Sequence, residues 1–187
     1  VEYQTAILQG DMAHAESLLP QVPSAQRGKI AKFLEAQSMP DLALSVATDP
    51  DHRFDLAVQL GQFDVALDIA RHGPASGAEM RWRTIGDQAL AHWDVALAQE
   101  CFKHANDVHS LFLVATAQQD EALLRHVAEA ARAKGELNLA VAALVQLQDT
   151  RGVVDVLMQA QRLPEAALFA RTYAPHLVPE TVRAWKA

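Results

Sequence analysis

The sequence predicts an all-α protein, an α-solenoid of about seven stacked antiparallel helical hairpins with irregular tetratricopeptide-like repeats. Three observations carry that expectation. Alanine recurs just inside the start of successive helices, at Ala15, Ala43, Ala66, Ala96, Ala122, Ala140 and Ala166. The residue three places earlier is apolar at Met12, Pro40, Phe63, Trp93, Leu137 and Leu163, with Gln119 the exception. Between these points apolar residues keep helical spacing, and no stretch alternates with period two for long enough to make a strand. Composition agrees. Half the residues are hydrophobic but only 6% are aromatic, so alanine and leucine, strong helix formers, supply much of the apolar content.

Taken in order, each unit carries its own punctuation. Gly10 and Asp11 end one helix and cap the next before Ala15. Pro40 precedes Ala43. Asp49-Pro50 supplies a cap and a first-turn proline, and 54–60 presents Phe54, Ala57, Val58 and Leu60 on one face. Gly61 suits a left-handed helix end ahead of Phe63 and Ala66. Residues 72–77, rich in Gly and Pro, predict a longer loop or a local break. Asp94 caps a helix whose apolar face is Leu97, Ala98, Cys101, Phe102 and Ala105. Asp120 caps the helix of Ala122, Gly135 ends it, and Leu137 with Ala140 opens the next. Pro164 and Pro179 fit first-turn positions. Acidic residues lie at helix starts (Asp64, Glu121, Glu165) and basic ones at helix ends (Arg71, Lys103, Lys134, Arg171), as the helix dipole favours. The repeats are 18 to 30 residues apart, too short and irregular for a strict tetratricopeptide array. Residues 1–187 are expected to form one solenoid segment, cut from a longer chain because Val1 replaces a starting methionine. Seven hairpins at about 10 Å spacing would extend to about 70 Å.

Charge and chemistry narrow the function. The formal net charge is −7, and Lys29 with Lys32, or Arg81 with Arg83, are pairs and not the basic patch that nucleic acid or an anionic membrane demands. No apolar run approaches the length that crosses a bilayer. One cysteine excludes an internal disulfide and fits a reducing compartment. There is no P-loop, no HExxH and no paired CxxC. Cys101 with His104 one turn later is the best nucleophile–base pairing, but Cys101 lies on the apolar face of its helix, where an inert thiol is expected. The histidines (14, 52, 72, 92, 104, 109, 126, 176) include no i, i+4 pair for zinc. Asp49 and Asp51 sit in a helix start, where carboxylates belong. Trp82 and Trp93 read as packing residues, Trp93 in the slot of Phe63 and Leu163, while Trp185 is available to a partner or a continuing repeat. No catalytic, cofactor-binding or metal site is expected.

Several stretches go beyond a generic solenoid. Residues 45–61, Ser45-Val46-Ala47-Thr48-Asp49-Pro50-Asp51-His52-Arg53-Phe54-Asp55-Leu56-Ala57-Val58-Gln59-Leu60-Gly61, resemble the β′-COP family of coatomer subunits. So do Leu97-Ala98-Gln99-Glu100-Cys101, the run from Leu163 to Tyr173, and Val1 to Ala6, in order from end to end. The α-COP solenoid is a poorer match. The resemblance implies a solenoid segment from a chain that also carries WD-repeat propellers. It implies a non-catalytic scaffold of the COPI vesicle coat, paired with the α-COP solenoid and other coatomer subunits. The expected setting is the cytoplasm, peripheral on Golgi membranes and coated vesicles, in retrograde Golgi-to-ER and intra-Golgi transport. The alternative is a helical-repeat peptide-binding adaptor outside the coat. That would need repeated polar clamps, and Asn106 and Asn138 are the only asparagines.

The alanine has a physical role in this scheme. Helices joined by a three- or four-residue turn approach closely beside it, and a small side chain admits that approach. Ala66→Leu or Ala96→Leu is therefore expected to overpack the contact and cost about 1–3 kcal/mol, read by thermal melting.

Overall fold

A computed structural model describes residues 2–8, 18 and 22–186. Among these residues there are thirteen α-helices and one short 3-10 turn, and no strand, so the fold is an all-α helical repeat. The helices are α1 (Glu2–Leu8), α2 (Ser24–Ala36), α3 (Pro40–Val46), α4 (Pro50–Gln59), α5 (Phe63–His72), α6 (Ala78–Ala91), α7 (Val95–His104), α8 (Val108–Gln118), α9 (Glu121–Lys134), α10 (Leu137–Gln146), α11 (Thr150–Gln159), α12 (Leu163–Tyr173) and α13 (Val178–Lys186). The expected first hairpin, with Gly10, Asp11, Met12, His14 and Ala15, lies outside the described residues.

The chain divides into two compact units, residues 1–101 and 102–187. Within the first, α2 packs on α3, α3 on α4, α4 on α5 and α5 on α6. Within the second, α8 packs on α9, α9 on α10, and so on in order to α13. Neighbours in sequence are thus neighbours in space, as stacked hairpins require.

One local device repeats through both units. Ser38, Gly61, Trp93, Asn106, Gln119, Gly135, Gln148 and Gln161 all have left-handed backbone, with φ between 50° and 77°. Each ends a helix. Its N–H donates to the carbonyl three residues back (2.9–3.3 Å), and the next N–H donates to the carbonyl five residues back (2.9–3.0 Å). That is the Schellman closure, which satisfies carbonyls a helix end would otherwise leave bare. The residue four before each left-handed position is buried, and so is the residue five after it. The pairs are Leu34 and Ala43, Ala57 and Ala66, Ala89 and Ala98, Phe102 and Leu111, Ala115 and Leu124, Ala131 and Ala140, Leu144 and Val153, and Leu157 and Ala166, none more than 7% exposed. Nine of these sixteen residues are alanine, the side chain that lets two helices start and end close together.

This register corrects the sequence reading at two turns. Ala43, Ala66, Ala140 and Ala166 are fully buried, but Ala96 and Ala122 are exposed. Trp93 and Gln119 do not lie inside the following helix. They are the left-handed residues that end the preceding one, so the count of five reaches Ala98 and Leu124. Trp93 accordingly does not share the half-buried slot of Phe63 and Leu163, and it is 87% exposed.

Helix starts follow the expected chemistry and extend it. Asp49, Asp94 and Asp120 accept from the amides of His52, Leu97 and Leu123. Asp107 and Asp149 do the same for Ser110 and Gly152. The irregular connection at 73–77 is fastened from inside. The buried Arg81 guanidinium donates to the carbonyls of Pro74 (2.9 Å) and Ser76 (3.0 Å) and to Asp51 (3.1 Å). Near the end of the second unit, Val154, Ala170, Ala174 and Leu177 form a small core, and Arg151 forks onto both oxygens of Glu180 (3.0 and 3.2 Å), joining α11 to α13.

Ala98→Leu is expected to lower stability by about 1–3 kcal/mol, as Ala66→Leu does. Ala96→Leu is expected to stay within about 0.5 kcal/mol of the parent, because its side chain faces solvent. Urea unfolding of the three variants checks the corrected register.

Candidate interaction surfaces

The residues with the best claim to chemistry are scattered and occupied. Cys101 is fully buried, and burial, followed by the Glu100 carboxylate, pushes its thiol up to about 11. It is a protonated core side chain at neutral pH, not a nucleophile. Asp49 caps α4 while Asp51 turns to Arg81, so the two carboxylates serve different partners. His52 pairs with Glu35 (3.2 Å), His72 with Asp68 (3.0 Å) and His109 with Glu136 (3.3 Å). The His92 ring meets Phe63 edge to face at 5.6 Å. Among the described residues no group of three or more His, Cys, Asp or Glu is placed to hold a metal ion, and no helix is long and apolar enough to cross a membrane.

The turns build surfaces instead. The residue just after one left-handed position meets the residue three after an earlier one. Gln62 approaches Asp41 (3.5 Å), Glu136 meets His109 (3.3 Å), and Arg162 donates to Asn138 (2.7 Å). Three polar rungs share one register, one tying turns of the first unit and two tying turns along an edge of the second. Further bonds follow the same edge of the second unit, from Lys134 to the Asn106 carbonyl and from Arg132 to Gln159. Arg162 also grips Glu165, and this hydrogen-bonded guanidinium holds the Glu165 carboxyl below its ordinary range. These pairs are exposed and screened by solvent, so they add little to stability. Their effect is on register.

Beside the Gln148 turn the second unit opens an apolar groove of about 450 Å³, lined by Leu144, Val145, Val153, Phe169 and Tyr173. The Phe169 and Tyr173 rings lie 4.9 Å apart and tilted by 40°, while Val145 and Tyr173 are half or more exposed. A neighbouring cleft of about 370 Å³ is polar, with Arg125, Glu129, Arg132 and Asp149. Trp185 on α13 is 54% exposed. Sequence reasoning missed the groove. The signal it needed was the aromatic pair at i, i+4, Phe169 and Tyr173, facing a turn with no alanine.

The comparisons with known proteins agree with a helical repeat. The family model for the COPA/B TPR domain matches residues 3–186. The chain is 39% identical over 186 residues to coatomer subunit beta′ of Drosophila melanogaster and 38% identical to that of Homo sapiens. It is likewise 38% identical to coatomer subunit beta′-2 of Oryza sativa subsp. japonica. Each alignment covers 100% of this chain and 20% of the relative, so the chain spans about a fifth of the length of the curated relatives it matches.

Native protein at pH 8 is expected to leave Cys101 unlabelled by iodoacetamide, with full labelling only after unfolding. The sign for stability follows from the raised thiol. As pH climbs past the ordinary thiol range the unfolded chain loses its proton first, so the folded state holds more protons. Stability is then expected to fall between about pH 9 and about pH 11. Denaturant midpoints measured across that range check it.

Proposed function

From its membership of the COPA/B TPR domain family, we propose that this chain is a non-catalytic scaffold segment of a vesicle coat, acting as the corresponding segment of a coatomer β′ subunit. The observation that carries the reading is the family match over residues 3–186. The mechanism is geometric. Closed turns hold short helices in fixed register. Their edges and the Val145–Phe169–Tyr173 groove then offer firm surface to neighbouring subunits. The α-COP solenoid is the proposed principal partner, with other coatomer subunits beside it and WD-repeat propellers elsewhere in the parent chain. The setting is the cytosolic face of Golgi membranes and COPI vesicles, in retrograde Golgi-to-ER and intra-Golgi transport. The physical features of the chain support a role in assembly. Its burial goes into alanine-lined helix contacts, its polar groups pair along edges, and its thiol is locked in the core.

The test is reconstitution from full-length chains. The parent protein is mixed with full-length α-COP and the complex is isolated by size exclusion. Exchange of residues 1–187 for an unrelated helical repeat of equal length is expected to abolish co-elution. Val145→Glu with Tyr173→Ser, both at exposed positions, is expected to weaken it about tenfold or more while leaving the melting temperature in place. Undiminished co-elution after the exchange contradicts the reading.

A further inference from the structure

Trp93 breaks the pattern of its own turn. The other seven closed turns place Gly, Ser, Asn or Gln at the left-handed position, and this one places the largest side chain there, at φ 63°. A bulky L-residue in that conformation is strained. Burial does not offset the strain, because Trp93 is 87% exposed, the most exposed large hydrophobic residue described. Its neighbour His92, itself exposed, meets the Phe63 ring edge to face, and the indole stays in solvent. Strain held at an exposed aromatic residue points to a use outside the fold.

The surroundings say what that use is. The edge register that pairs Gln62 with Asp41, Glu136 with His109 and Arg162 with Asn138 assigns Asp94 to Asp64. By that register the position holds two carboxylates, where the other rungs join complementary groups. Asp41, on the preceding turn of the same edge, adds a third, and all three are exposed. Residues 1–101 hold 14 of the 23 acidic residues and 7 of the 16 basic ones, so the whole formal charge of −7 falls in this unit. Helix dipoles account for carboxylates at Asp41 and Asp64, and capping accounts for one oxygen of Asp94, but neither accounts for the indole.

We propose that the turn edge formed by Trp93, Asp94, Asp64 and Asp41 docks a basic segment of a partner protein, with an Arg or Lys side chain over the indole face and the carboxylates beside it. A cation is attracted to the face of an exposed tryptophan, and an acidic edge adds a salt-dependent attraction that neutral partners lack. The surface is defined by its chemistry and stands whether or not the chain serves a vesicle coat.

The test titrates the full-length protein with a fluorescein-labelled peptide of four Arg-Ala-Ser repeats and with its Glu-Ala-Ser counterpart. The arginine peptide is expected to bind saturably and the glutamate peptide not at all. Trp93→Gly relieves the backbone strain, so it is expected to raise the melting temperature while weakening the peptide at least about threefold. Asp41→Asn with Asp64→Asn is expected to weaken it further and to flatten its salt dependence. Asp55→Asn with Glu79→Gln removes the same charge from mid-α4 and from the other end of α6, and is expected to leave affinity within about twofold. The proposal is overturned by absent or non-saturable binding, by unchanged affinity in Trp93→Gly, by a lowered melting temperature in that variant, or by equal losses from the two carboxylate pairs.

Discussion

The amide that follows each left-handed residue donates back across five residues to a buried carbonyl, and the rest of the structure depends on that bond. In eight turns it closes a helix end whose carbonyl belongs to a core residue, such as Ala57, Phe102 or Leu157. Leaving such an acceptor bare inside the protein would cost about 1–3 kcal/mol. The closure also sets direction. It returns the chain so that the fifth residue beyond the left-handed position is again buried, and the next helix begins already packed. Helices of 7 to 14 residues have little stability alone, so this immediate return is what makes them persist.

The same closure explains the distribution of polar groups. A turn of fixed shape presents its first and third following residues in fixed directions. That is why Gln62, Glu136 and Arg162 each find a partner three residues past an earlier turn. The exposed pairs add little energy, but their common register means the edges are ordered surfaces. Where the device is absent, another replaces it. The connection at 73–77 lacks the closing bond, and the buried Arg81 holds two of its carbonyls in place of backbone amides. Such a chain offers position and surface, and the relatives it matches are named coatomer subunit beta′.

Much of this was legible in the sequence, and the failures are instructive. Ala43, Ala66, Ala140 and Ala166 lie where counting from a plausible helix end puts them, and Gly61 and Gly135 mark two of those ends by residue type alone. Ala96 and Ala122 misled because Trp93 and Gln119 carry no sign of left-handed backbone. Glutamine and tryptophan are ordinary helix residues, and only the following aspartate marks the boundary. That aspartate was the better guide at four of the eight turns. Asn106-Asp107 and Gln148-Asp149 open helices in the same way, and their buried partners are Leu111 and Val153 in place of alanine. A search for alanine passes over them. The family resemblance was legible because residues 45–61 and 163–173 combine caps, prolines and packing residues in a fixed order. The groove at Phe169 and Tyr173 was not, because it depends on which turn comes to lie beside that aromatic pair.

Amide hydrogen exchange tests the central claim most directly. If closed turns hold the fold, the amides of Gln62, Asp94, Asp107, Asp120, Glu136, Asp149 and Arg162 exchange as slowly as those in the middle of the adjoining helices, although each lies in a turn at the surface. The amides of Ala75 and Ser76, outside any such closure, exchange far faster. Turn amides that exchange at the rate of an unstructured chain while the helices remain protected would contradict the account.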